Sequence, residues 1–178
     1  MQFYEDPAFV IESVAYLAAD ALNVGDSSIL IATSSHLSGI RDRLTGYGLD
    51  LKKLHTSGRY VSLDAEETLS RLMANDWPND SEFSEIIGGV IRNAMEKSAN
   101  HFAFVFGEMV AVLCAANKAK AVVRLEQLWN SLAETYRFSL CCAYPLSSVV
   151  DQSELNVVFQ ICAEHSLVIP AETFSASA

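Results

Sequence analysis

Residues 28–44, SILIATSSHLSGIRDRL, contain the stretch that decides the fold. The pattern indicates a short apolar strand, a polar turn, and an amphipathic helix with Leu37, Ile40 and Leu44 on one face. Nucleotide-binding α/β proteins place a phosphate-binding loop in this layout. The turn ATSSH, however, lacks the glycines that let backbone N–H groups surround a phosphate, and it lacks the lysine that reaches the terminal phosphates. The stretch therefore predicts an α/β scaffold whose ligand is not held by a standard phosphate loop.

The same alternation of strands and helices continues along the chain. Asp6 followed by Pro7 predicts a helix start, and Asp64 with Glu67 predicts another through a capping box, with Trp77-Pro78 ending that helix. Further predicted segments are strands at residues 60–63, 102–106, 138–143 and 167–169, and helices from about Asp80, at 109–116, at 119–136, and after a capping box of Asp151 and Glu154. Such alternation predicts a mostly parallel sheet with helices on both faces, a three-layer α/β fold, in a single domain over residues 1–178.

Composition narrows the classes of partner. The net charge of −10 argues against direct nucleic-acid binding, which needs clustered lysine and arginine. The scattered basic residues form no stripe for an anionic membrane, and the apolar runs are too short to cross a bilayer. Cys114, Cys141, Cys142 and Cys162 lack zinc-site spacing and are interpreted as reduced core cysteines. We therefore expect a cytoplasmic protein with no membrane contact and no metal or cofactor.

Ligands of parallel sheets bind at the carboxyl ends of the strands, so residues that follow the strands are candidates for a site. In chain order they are Thr33, Ser34, Ser35, His36, Asp64, Gly107, Glu108, Met109, Tyr144 and Pro145. Asp64 and one of the serines also fit helix N-caps, and His36 also fits a solvated position. Glu108 follows a buried strand and a glycine, where the sheet cannot easily cover a carboxylate. We expect it to bond either a ligand or His36.

Two other interpretations of these residues have weaker support. His36, Asp64 and Glu108 are acceptable metal ligands, but they come from separate segments without a diagnostic spacing. A hydrolytic triad of Ser35, His36 and Glu108 would need an adjacent serine and histidine to point at each other, and a GxSxG elbow is absent. His165, near the end of the last helix, is interpreted as a favourable charge against the helix dipole.

Seven strings occur in order along nearly the whole chain. They are FYED (3–6), LIATSSH (30–36), GRYVSLDAEETL (58–69), FGEMV (106–110), RLEQLWN (124–130), FSLCCAYP (138–145) and ICAEHS (161–166). Together they resemble the MEDS family, the methanogen/methylotroph DcmR sensory domain. The resemblance implies a RecA/KaiC-like fold without a P-loop, and a non-enzymatic sensory domain that detects small organic compounds, hydrocarbon derivatives among them. Members are commonly joined to DNA-binding or histidine-kinase modules; none is evident here, so we expect signalling through a partner protein.

The resemblance also implies which positions line the site. These are Tyr4, His36, Arg59, Glu108, Met109 and Tyr144. With the strand-end residues, the expected ligand-binding set is Tyr4, Ser34, Ser35, His36, Arg59, Asp64, Glu108, Met109 and Tyr144, with no catalytic residue. The expected partners are a small organic ligand and a signalling protein, and a homodimer is compatible with both. The alternative is a nucleotide-binding protein or weak NTPase with a non-standard phosphate site.

Overall fold

In a computed structural model of the protein, residues 1–148 and 155–172 are described. Along these residues, strands and helices follow one another as the sequence predicts. In chain order they are β1 (Gln2–Tyr4), α1 (Pro7–Asn23), β2 (Ser27–Ala32), α2 (Ser34–Gly46), α3 (Leu51–Thr56), β3 (Tyr60–Asp64), α4 (Ala65–Leu72), β4 (Met73–Ala74), β5 (Trp77–Pro78), α5 (Asp80–Lys97), β6 (Ala103–Gly107), α6 (Met109–Ala115), α7 (Ala119–Thr135), β7 (Phe138–Pro145) and α8 (Leu155–Ala163). In this part of the chain, no helix is both long enough and apolar enough to cross a membrane.

The main sheet has five parallel strands in the order β1-β7-β6-β2-β3. The interior strand β2 is buried along its whole length, as its continuous apolar run predicts. Its side chains alternate between faces: Ile29 and Ile31 pack with α4 to α8, whereas Leu30 and Ala32 pack with α1 and α2. This arrangement confirms the predicted three-layer α/β fold.

Side-chain caps set the helix starts where the sequence places them. Asp6 accepts a hydrogen bond from the Ala8 N–H at 2.8 Å, and a proline occupies the first helical position of α1. Asp64 accepts from the N–H groups of Glu66 and Glu67 at 2.9 and 3.0 Å. These three bonds satisfy N–H groups that a helix leaves without a partner in its first turn. Because Asp64 is the last residue of β3, its cap fixes the turn from the strand directly into α4.

The two helices on one face of the sheet approach each other closely at a glycine. A Cβ atom on Gly39 of α2 would lie 2.8 Å from the Cδ1 atom of Ile11 on α1. A larger residue would therefore force the Ile11 side chain to shift. This contact helps to position α2, whose first turn lies at the carboxyl end of the sheet.

The end of α4 differs from its prediction. The helix stops at Leu72 instead of running to Trp77-Pro78, and β4 and β5 form a small antiparallel hairpin instead. Asn75 and Asp76 connect these strands with φ angles of 50° and 64°. Asn and Asp adopt this left-handed conformation more easily than most residues, and such a turn joins two antiparallel strands tightly.

The two chain segments at the outer edge of the sheet also differ from their predictions. Residues 2–4 form the edge strand β1, which was not predicted and which pairs with β7. The predicted strand 167–169 is reduced to one bridge, in which the Phe3 N–H donates to the Ile169 carbonyl at 3.0 Å and the Ile169 N–H to the Met1 carbonyl at 2.9 Å.

Helix α3 was also not predicted. The predicted capping box of Asp151 and Glu154 lies outside the described residues.

Candidate functional site

The carboxylate of Glu108 lies at the centre of the candidate site. The Glu108 N–H donates to the Ile31 carbonyl at 2.8 Å, which continues the β2–β6 pairing one residue beyond β6. The side chain then reaches the start of α2, where its Oε2 accepts hydrogen bonds from the Thr33 N–H at 2.8 Å and the Thr33 hydroxyl at 3.2 Å. The unpaired N–H groups and the dipole of a helix N-terminus favour an anion there. In this protein the anion at the start of α2 is the carboxylate of Glu108.

His36 and Tyr4 complete the surroundings of this carboxylate. His36 lies in the first turn of α2, and its Nδ1 atom is 2.6 Å from Oε1 of Glu108, so the predicted contact between these two side chains is confirmed. The Tyr4 ring meets the His36 ring edge-on, with centroids 6.1 Å apart. Burial, together with the charge of Glu108 and a hydrogen bond to it, raises the pKa of the Tyr4 hydroxyl, which therefore stays protonated and donates.

A cavity of about 520 Å³ opens beside these side chains. Its polar lining comes from Tyr4, Thr33, His36, Glu66 and Glu108. The remaining lining residues form an apolar wall and are Ala111, Val112, Ala115, Ala116 and Pro145. Helix α6 and the residue after it supply most of this apolar wall. The volume lies within the range of about 300–1,000 Å³ that is common for small-molecule sites, and the combination of an apolar wall with a few converging polar groups is typical of them.

Three of the predicted residues lie beside the cavity but not in its lining. The Ser34 hydroxyl donates to Oδ2 of Asp64 at 2.7 Å, and the Ser35 hydroxyl oxygen is 3.3 Å from that of Thr33. Hydrogen bonds from the Glu67 N–H and from Ser34 hold the pKa of Asp64 below its usual value. Within the described part of the chain, these contacts direct Asp64 toward Ser34 and the start of α4 instead of toward a metal site shared with Glu108. They pair Ser35 with a hydroxyl instead of with the His36 imidazole.

Three further predicted residues are not in this cavity. Arg59 precedes β3 at the amino edge of the sheet, where its guanidinium donates to the carbonyls of Leu22 at 2.6 Å and Asp26 at 2.7 Å. Met109 is buried in the core on the α5–α7 face. Tyr144 is also buried in that core, because its position along β7 directs its side chain toward α7. The sequence strings do not specify which face or edge of the sheet a residue occupies.

A second polar cluster surrounds Tyr144, and sequence reasoning missed it. The Tyr144 hydroxyl and the Cys142 thiol both donate to the carboxylate of Glu126, the thiol at 3.4 Å. The Nε2 atom of His165 lies 3.4 Å from Oε1 of the same carboxylate. Burial and the charge of Glu126 raise the pKa values of Cys142 and Tyr144 well above their usual range. These groups therefore stay protonated and donate to the carboxylate.

One signal for this cluster was present in the sequence. Glu126 lies four residues after Val122 and three before Trp129, on the apolar face of α7, and it is only 1% exposed. A carboxylate at such a position requires buried partners. His165 does lie at the C-terminus of α8, as predicted, with Nδ1 2.7 Å from the Ile161 carbonyl. Its contact with Glu126 was not foreseen.

Fold and site together define a class: a three-layer α/β domain with a small cavity, partly polar and partly apolar, at the carboxyl end of its sheet. The family model of MEDS, described as MEthanogen/methylotroph, DcmR Sensory domain, matches residues 1–165. The chain belongs to this family of sensory domains, as the seven strings predicted. A search of curated proteins finds no match.

Proposed function

We propose that the protein is a non-enzymatic sensory domain that binds a small organic compound in the cavity beside Glu108 and signals through a partner protein. The observation that carries this proposal is the buried His36–Glu108 pair, with its atoms 2.6 Å apart, on the polar wall of a cavity of about 520 Å³. The opposite wall consists mainly of alanine and valine side chains. Membership of a sensory family supports the same role.

The charges around the cavity narrow the class of ligand. Among the described residues that line it are two carboxylates, Glu66 and Glu108, and no lysine or arginine. The Thr33 N–H, which would be available to a phosphate in a phosphate loop, is bonded to Glu108 instead. An anionic ligand would be repelled by these two carboxylates and would find few hydrogen-bond donors. We therefore expect a neutral or cationic compound that has a short apolar part and a hydroxyl, carbonyl or amine.

Signalling would follow from the elements that the ligand touches. The cavity is lined from β1 by Tyr4, from the first turn of α2 by His36, and from α6 by its alanine and valine side chains. These elements belong to the sheet and to both of its helical layers. A ligand that binds better to one relative placement of α2 and α6 shifts the population toward that placement. The outer faces of these helices then present a different surface to a partner protein.

A ligand screen tests this proposal. Thermal unfolding is measured with short-chain alcohols, ketones, amines and carboxylic acids, and with ATP and GTP in the presence of Mg²⁺. A ligand at about 100 times its dissociation constant stabilises the folded state by about 2.7 kcal/mol. We expect stabilisation by neutral compounds or amines. Stabilisation by a nucleotide that Glu108→Gln abolishes would contradict the proposal and support nucleotide binding. If no compound stabilises the protein, the remaining interpretation is a domain that binds only other proteins.

A matched pair of substitutions locates the binding. Ala115→Leu adds bulk to the apolar wall and should remove the stabilisation by an active compound. Ala133→Leu adds the same bulk at an exposed position of α7, outside the cavity lining, and should leave that stabilisation unchanged. Equal effects of the two substitutions would contradict binding at this cavity.

A further inference from the structure

We propose that Glu126, Cys142 and His165 form a binding site for a transition-metal ion, with Zn²⁺ as the best fit. This site is separate from the cavity beside Glu108. It lies between α7, β7 and the end of α8, and the carboxylate and thiol are 1% and 0% exposed.

The donor atoms suit such an ion in type and in spacing. A thiolate, an imidazole and a carboxylate are the protein ligands that Zn²⁺ takes. In this cluster one ligand atom from each residue lies within 4.8 Å of the other two. The Cys142 sulfur is 3.4 Å from Oε2 of Glu126, and the Nε2 atom of His165 is 3.4 Å from Oε1. With zinc bonds of about 2.0 Å to nitrogen or oxygen and about 2.3 Å to sulfur, tetrahedral ligands lie about 3.3–3.5 Å apart.

The orientation of His165 is the second observation. Its Nδ1 atom is 2.7 Å from the Ile161 carbonyl, a contact that requires a proton on Nδ1. A backbone carbonyl holds metal-binding histidines in the same way. In the neutral ring the lone pair is then on Nε2, which is buried without a hydrogen-bond partner and faces Oε1 of Glu126. Two hydrogen-bond acceptors, Nε2 of His165 and Oε1 of Glu126, therefore face each other. A cation bound between them removes the repulsion.

Charge and the surrounding hydrogen bonds are consistent with a divalent ion. A thiolate on Cys142 and the carboxylate of Glu126 carry two negative charges, which one divalent ion neutralises in this buried position. The Tyr144 hydroxyl donates to the carboxylate and orients it, as groups that are hydrogen-bonded to metal ligands commonly do. On binding, the ion displaces the Cys142 proton to solvent, so metal binding weakens as the pH falls.

The test uses the full chain and the metal alone. Protein purified without chelator is analysed for bound metal, then stripped with a chelator and titrated with Co²⁺. We expect about one equivalent of metal and, with Co²⁺, the thiolate-to-cobalt charge-transfer absorption together with the strong visible bands of a tetrahedral ion. Zn²⁺ should displace Co²⁺ and abolish both.

Neighbouring cysteines give a matched control. Cys142→Ser should lose the charge-transfer band, whereas Cys141→Ser should keep it, because Cys141 packs in the core on the other face of the sheet. If Cys142→Ser does not fold, His165→Gln serves instead and should weaken Co²⁺ binding by about tenfold or more. The proposal is overturned if the folded wild-type protein binds neither ion. A protonated His165 paired with Glu126 then accounts for the cluster. The proposal is also overturned if Cys141→Ser removes the charge-transfer band and Cys142→Ser does not.

Discussion

Glu108 and Glu126 are two buried carboxylates with nearly the same chemical neighbours. The two residues are 2% and 1% exposed, and each has one tyrosine hydroxyl and one histidine nearby. For Glu108 the neighbours are Tyr4 and His36, and for Glu126 they are Tyr144 and His165. Glu108 lies where a strand ends and a helix begins, and a cavity opens beside it. Glu126 lies in the middle of a helix and is enclosed by neighbouring elements. Position in the fold, more than residue type, separates a carboxylate beside an open cavity from one in a closed cluster.

The largest expected effect comes from removing each carboxylate in turn. Glu126→Ala should lower the free energy of unfolding by about 3–5 kcal/mol, because it leaves two buried donors, the Tyr144 hydroxyl and the Cys142 thiol, without their acceptor, and each such donor costs about 1–3 kcal/mol. Glu108→Ala should cost less, about 1–3 kcal/mol, since water in the cavity reaches the groups left behind. Urea unfolding with a chelator present measures both. Equal losses would show that the two surroundings do not differ in this way.

Alkaline pH provides the next test of the closed cluster. Burial raises the pKa of Tyr144 in the folded state above its usual value of 10.0. The unfolded chain therefore loses this proton at lower pH than the folded protein does, and stability falls as pH rises above about 10. The slope from this group approaches about 1.4 kcal/mol per pH unit. Tyr144→Phe should reduce the slope by that amount; an unchanged slope in urea unfolding between pH 9.5 and 11 would contradict the assignment.

An exposed carboxylate gives a reference for both buried ones. Asp64 caps α4, so Asp64→Ala should lower the free energy of unfolding by about 1 kcal/mol. Asp64→Asn should cost much less, because an asparagine oxygen also accepts from the first-turn N–H groups. Urea unfolding measures both variants. If Asp64→Asn costs as much as Asp64→Ala, the carboxylate charge and not the cap is the source of the stabilisation.

Among the alanine substitutions, the smallest expected effect on stability is that of His36→Ala. Glu108 keeps its hydrogen bonds from Thr33, so the loss should be about 0.5–1 kcal/mol in the protein without ligand. Stabilisation by a compound found in the ligand screen should nevertheless fall sharply. A loss of apo stability as large as that of Glu126→Ala, with ligand stabilisation retained, would assign His36 a structural role.

Much of the open site was predictable because local rules place its parts. The end of β2 and the start of α2 are adjacent in the chain, and parallel strands bring the residue after β6 to the same edge of the sheet. His36 and Glu108 therefore meet as predicted. Tyr4 was placed by resemblance alone, since β1 has three residues and too little pattern to reveal a strand. Arg59 was misplaced because it was assigned by resemblance alone, although the predicted strand at residues 60–63 already places it before the strand, at the opposite edge of the sheet.

The sequence by itself determined the alternation of strands and helices, the caps that begin α1 and α4, and the edge of the sheet where the cavity beside Glu108 opens. Each of these depends on residues a few positions apart. Only the tertiary structure decided what surrounds Glu126. Its partners Cys142 and His165 come from β7 and from beyond α8, and the rotation of α7 against the sheet brings them within 3.4 Å of its carboxylate. That rotation results from the packing of many side chains at once, which no single stretch of sequence specifies.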